Sequence, residues 1–113
     1  CVINPLTAVN ACPNGALAQR PGLASQVTAL CAEVAAVSRA AGFSTVANSL
    51  PASVAAVIAG TANNRSSMLQ DVQAGRQTEI DYINGYLLQV ADRLGIDAPL
   101  NRALLEKIKS RDQ

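Results

Sequence analysis

The chain has 113 residues, half of them hydrophobic but only 3% aromatic, with a formal net charge of +1. That length suits one domain with its own apolar core, and apolar content dominated by Ala, Val, Leu and Ile favours closely packed helices over sheets. Near-neutral charge without a basic run excludes a nucleic-acid footprint and a polybasic membrane patch, and no apolar stretch reaches the roughly 18 residues of a spanning helix, because Glu33 interrupts the longest candidate.

Taken from the start, residues 1–10 are apolar with Pro5 inside them. They read either as the end of a helix kinked at Pro5 or as a helix that begins there. Cys12-Pro13-Asn14-Gly15 is a strong turn signal, with Gly15 free to take positive φ. Leu23, Val27, Leu30, Val34 and Val37 recur three or four apart and predict a long helix from Pro21 to Ala41, stopped at Gly42. Ser49 as a cap and Pro51 in the first turn predict a restart there, with Val54, Val57 and Ile58 facing the core.

Asn63-Asn64-Arg65 breaks the pattern. Ser66 or Ser67 then caps a short helix through Val72, ended by Gly75. Thr78 and Asp81 resemble a capping box, opening a helix with the stripe Ile80, Ile83, Leu87, Val90 and Leu94 that Gly95 ends. Pro99 starts the last helix, with Leu100, Leu104, Leu105 and Ile108 inward and Lys107, Lys109 and Arg111 suited to its C-terminal dipole. The expected fold is all-α: one compact bundle of about six helical segments over residues 1–113.

Three cysteines, Cys1, Cys12 and Cys31, match no zinc spacing. The chain has no His to assist a metal or to serve a thiol nucleophile as base, so they read as buried thiols of a reducing cytoplasm, and no metal is expected. Neither a basic segment leading an apolar run nor a Gly-x-Gly-x-x-Gly or P-loop is present. Charge is uneven: the first 60 residues carry only Arg20, Glu33 and Arg39. Such a bare half is expected either to be central or to be covered by something outside this sequence. The opening Cys-Val-Ile-Asn-Pro, without Met, reads as part of a longer protein.

Two blocks carry a resemblance. One is Asn4-Pro5-Leu6-Thr7-Ala8 followed by Pro13-Asn14-Gly15. The other is Ser66-Ser67-Met68-Leu69-Gln70-Asp71, then Gly75 and Thr78-Glu79-Ile80-Asp81-Tyr82-Ile83-Asn84-Gly85. In this order, and with Pro99-Leu100-Asn101 downstream, they resemble the C-terminal domain of the ketopantoate (2-dehydropantoate) reductases over essentially the whole chain. The resemblance implies the helical domain of a two-domain reductase of the 6-phosphogluconate-dehydrogenase-like type. In such an enzyme a Rossmann domain outside this sequence holds NADPH, and 2-dehydropantoate is reduced to (R)-pantoate on the way to pantothenate and coenzyme A.

The resemblance also implies site residues. Asn4, Asn14 and Ser67 match substrate contacts. Glu79 matches an acid near the nicotinamide ribose and the proton-donating lysine, and Asp71 takes a supporting role. That lysine would precede Asn4 by several residues, before this sequence starts, and neither Lys107 nor Lys109 can replace it. The 113 residues alone are therefore expected to be inactive. The residue types suit a small anionic substrate, which calls for amide and hydroxyl donors; a helix start near Ser67 would favour its carboxylate. Each position also has a plain structural reading: Ser67 as a cap, Glu79 as a first-turn acid, Asn14 as a turn residue, Asn4 as a boundary before proline. Two alternatives stand beside the reductase: a non-catalytic helical interaction or homodimerisation module, and a related reductase acting on another 2-oxo acid. Opine- and 6-phosphogluconate-type dehydrogenases share the architecture but not the Ser-Ser-Met-Leu-Gln-Asp block.

Overall fold

A computed structural model describes residues 1–111, with the side chain of Arg111 outside the described residues. Within them the chain forms seven helices and no strand: α1 (Ile3–Asn10), α2 (Ala16–Gln19), α3 (Pro21–Ala40), α4 (Ser44–Gly60), α5 (Ser67–Gln73), α6 (Ile80–Leu94) and α7 (Pro99–Arg111). The segment beyond the expected six is α2, a single turn after Gly15. It buries Ala16 and Leu17 but is too short to leave a periodic signal.

α3 is the central element, packed on α2, α4, α6 and α7. Its first residue, Pro21, gives up an N–H that has no helical partner at that position anyway. Leu23, Leu30, Cys31, Ala35 and Val37 line its buried face. The turn after it uses Gly42 at φ 95, where a Cβ would be strained.

α4 departs most from the sequence reading. It begins at Ser44, not at Ser49, and carries Pro51 in its interior. Ser49 caps nothing; its hydroxyl bonds back to the carbonyls of Thr45 and Val46, a mid-helix habit of serine. The Pro51 ring sits on the exposed side of α4, clear of the core, and the helix runs through it although Pro51 has no N–H to give one turn back. Val57, expected in the core, is 49% exposed, while Ala47 and Ile58 are buried against α3. The bare first half therefore divides: α3 is central, and α4, with the Phe43 that precedes it, shows Phe43, Val46 and Val57 to solvent.

α6 also turns slightly from its expected face. Its buried line is Ile80, Asn84, Leu88 and Ala91; Ile83, Leu87 and Val90 are half-buried and Leu94 is exposed. The capping box does not form. Thr78 Oγ1 accepts from the Ile80 N–H at 3.4 Å rather than from Asp81, and Glu79 is the cap residue without a side-chain bond. Gly95, at φ 70, ends the helix as expected. On α7, Asn101, Leu104 and Ile108 are buried, whereas Leu100 is 42% exposed. Lys109 pairs with Asp81 at 3.1 Å.

Cys12 and Cys31 are buried free thiols, and burial pushes both above the ordinary thiol value. Cys1 is a half-buried free thiol. Among the described residues no helix is long and apolar enough to cross a membrane, and no cluster of His, Cys, Asp and Glu could hold a metal.

Candidate functional site

α5 is positioned by a buried hydroxyl pair. Ser66 Oγ accepts the Leu69 N–H at 3.1 Å, which makes Ser66 the cap of α5. It also lies 2.7 Å from Thr7 Oγ1 on α1. Thr7 donates its one proton back to the carbonyls of Ile3 and Asn4, so Ser66 must donate in the pair. Both side chains are thereby satisfied, and α5 is clamped to α1 beside Asn4. The neighbouring Ser67, first residue of α5, is released from capping and exposed.

Asn4, Ser67, Asp71 and Glu79 meet in one cleft of about 100 Å³, with Met68 and Ile83 as its apolar walls. They come from α1, α5 and the start of α6, so the cleft exists only because those three elements converge. Asp71 is partly covered and pairs with Arg76 Nε at 3.1 Å, which offsets its charge. Glu79 is exposed at the head of α6. Larger hollows differ in chemistry: the groove of about 340 Å³ between α3 and α4 is walled by residues such as Leu17, Val27 and Ile58 and has no charged lining.

Asn14 is not in the cleft. It is buried in the Pro13–Gly15 turn, where its backbone N–H donates to the Asn64 carbonyl at 2.9 Å and its side-chain amide to Thr61 Oγ1 at 2.9 Å. Gly15 has φ −62 instead of the expected positive value. Glycine is required there by the backbone of Ala62, whose carbonyl accepts the Gly15 N–H at 2.9 Å.

Sequence reasoning missed Met68 and Ile83 as walls, since a stripe of apolar residues gives no hint of which members face a cleft. It also missed the Thr7–Ser66 clamp, whose partners are 59 residues apart.

The chain matches the family model described as ketopantoate reductase PanE/ApbA C terminal over residues 1–112. It is 50% identical over 112 residues to the 2-dehydropantoate 2-reductases of Shigella flexneri and of Salmonella typhimurium, covering 99% of this chain and 36% of each relative. It superposes with a TM-score of 0.89 on the crystal structure of a probable 2-dehydropantoate 2-reductase from Bacillus subtilis, at 37% identity, covering 97% of this chain and 36% of that one. The chain thus spans about a third of the length of the relatives it matches.

Proposed function

The chain belongs to the ketopantoate reductase family and matches its C-terminal part, and from that premise we propose that the whole protein reduces 2-dehydropantoate to (R)-pantoate with NADPH in the cytoplasm, supplying pantothenate for coenzyme A. The observation that carries the reading is the convergence of Asn4, Ser67, Asp71 and Glu79 in one small cleft.

The Asn4 amide and the Ser67 hydroxyl supply the donors that a 2-oxo acid needs. The free Ser67 hydroxyl takes the substrate carboxylate, and Asn4 bonds a second oxygen. Met68 and Ile83 shield the apolar part of the substrate. Asn14 enters on the family resemblance alone, because its side chain is engaged with Thr61 outside the cleft.

Glu79 sets a requirement. Two like charges about 4 Å apart repel by about 4 kcal/mol at an effective dielectric of 20, so a carboxylate at the rim would oppose an anionic substrate unless a cation joined them. No lysine lines this cleft, and Lys109 is committed to Asp81. The family resemblance supplies that cation as a lysine from the rest of the protein: Glu79 holds its ammonium in place, and the ammonium gives its proton to the ketone oxygen. A cleft of about 100 Å³ does not hold a dinucleotide. NADPH, which supplies the hydride when bound, is held by a Rossmann domain elsewhere in the whole protein, with Glu79 near its ribose.

The test is the full-length protein assayed with NADPH and 2-dehydropantoate. NADPH oxidation that depends on this substrate is expected, with none from the 113-residue chain alone. A full-length protein that leaves NADPH untouched with 2-dehydropantoate contradicts the proposal; turnover with a different 2-oxo acid would move it to a sibling reductase.

A second reading rests on Phe43, Val46 and Val57, exposed at the start of α4 and along it. That apolar face suits a second copy of the protein, so the enzyme would be a homodimer.

A further inference from the structure

Glu33, near the middle of α3, caps α7 from a distance. Its Oε2 accepts the Leu100 N–H at 2.8 Å, and its Oε1 accepts the Asn101 N–H at 3.0 Å and the Asn101 Nδ2 at 2.7 Å. A carboxylate only accepts, so Glu33 dictates which way the Asn101 amide faces. Asn101 must then turn its Oδ1 away, and that oxygen accepts from Asn84 Nδ2 at 2.9 Å. The same Asn84 Nδ2 donates to the Cys1 carbonyl at 3.1 Å. Reversing the Asn84 amide would set its oxygen against two acceptors, so its orientation is also fixed from Glu33.

The carbonyl at the end of this relay lacks its usual donor. In a helix the Cys1 carbonyl would accept from residue 5, but residue 5 is proline and has no N–H. The backbone is already helical at Val2, with φ −104 and ψ −59. Asn84 therefore supplies from α6 the hydrogen bond that Pro5 withholds on α1. Asn84 and Asn101 are both fully buried, and Asn84 keeps this orientation although its own Oδ1 is buried without a partner among the described residues.

The relay connects the two walls of the cleft. Asn84 lies five residues after Glu79 and directly after Ile83, while Cys1 lies three residues before Asn4. α1 packs chiefly on α5 and α7 and shares little surface with α6. We infer that Asn84 is a positioning residue: through its bond to the Cys1 carbonyl, oriented by Asn101 and Glu33, it sets where Asn4 stands relative to Glu79. The inference rests on the functional reading above only in taking Asn4 as a substrate contact.

The test uses Asn84→Ala in the full-length protein with two readouts. Backbone hydrogen exchange over residues 1–8 is expected to rise at least about tenfold, with α3 unchanged. KM for the 2-oxo acid is expected to rise about tenfold while KM for NADPH stays within about twofold, since a small misplacement of one contact weakens that ligand alone. Unchanged exchange overturns the tie between Asn84 and α1. Faster exchange with both KM values at wild-type levels makes Asn84 merely structural and overturns the positioning role. If the wild-type protein reduces no 2-oxo acid, the functional reading fails separately, and exchange alone decides whether Asn84 holds α1. Asn84→Ser, which removes the reach but keeps a small polar side chain, replaces the alanine variant if that one does not fold.

Discussion

A methyl group on Gly15 would stand 2.8 Å from the Ala62 Cβ and 2.9 Å from the Ala62 carbonyl oxygen. Its φ of −62 is open to any residue, so the constraint is contact rather than backbone freedom. Gly15→Ala must push the 61–64 loop away and break the bonds that Asn14 and Gly15 make to it. The expected cost is about 1–3 kcal/mol, typical of overpacking a close contact, read as a lower urea midpoint with an unchanged slope. A variant as stable as the parent would show that the loop yields freely. The glycine was legible in the sequence, but its reason was not: Asn-Gly signals positive φ, whereas the Ala62 backbone arrives from 47 positions downstream. The two serines pose the same problem. Either could cap α5 by local rules, and only Thr7, on α1, selects Ser66 and leaves Ser67 for the cleft.

At the scale of elements, α3, α6 and α7 were legible because apolar residues recur at helical spacing and breakers mark their ends. α4 was not, because a proline inside a helix carries the same local signal as a proline at its start. Packing against α3 decides the matter, drawing Ala47 into the core and extending the helix back to Ser44. The α6 stripe was displaced for a related reason. Period alone places apolar residues inward, yet one of the fully buried positions is the polar Asn84, held there by acceptors on Asn101 and Cys1. The outward face of α4 bears on assembly. Val46 and Val57 are three turns apart on one side of the helix, so they form one patch with Phe43 at its end. If that patch joins two copies, Val46→Arg with Val57→Arg in the full-length protein will shift sedimentation from dimer to monomer. An unshifted dimer, or a wild-type monomer, removes the patch as a dimer contact.

For the molecule as a whole, the sequence motifs named the residues and the fold explains how most of them meet. Asn4 and Glu79 are 75 positions apart, yet α1, α5 and α6 bring them to one cleft with Ser67 and Asp71. Asn14 was equally visible as a motif residue, but its turn is pinned to the loop after α4 instead. Under the proposed function, the acid at the rim calls for a cation, and the reduction for a hydride source, from the remainder of the protein.

The central claim is that Ser67 and Glu79 act in one substrate site with different duties, and steady-state kinetics of the full-length Ser67→Ala and Glu79→Gln variants test it most directly. Loss of a hydrogen bond to a charged group, about 1.5–3 kcal/mol, predicts that Ser67→Ala lowers kcat/KM for 2-dehydropantoate by roughly 10- to 100-fold, chiefly through KM. Glu79→Gln is expected to act chiefly on kcat. Folded variants that both keep wild-type kcat/KM would contradict the account.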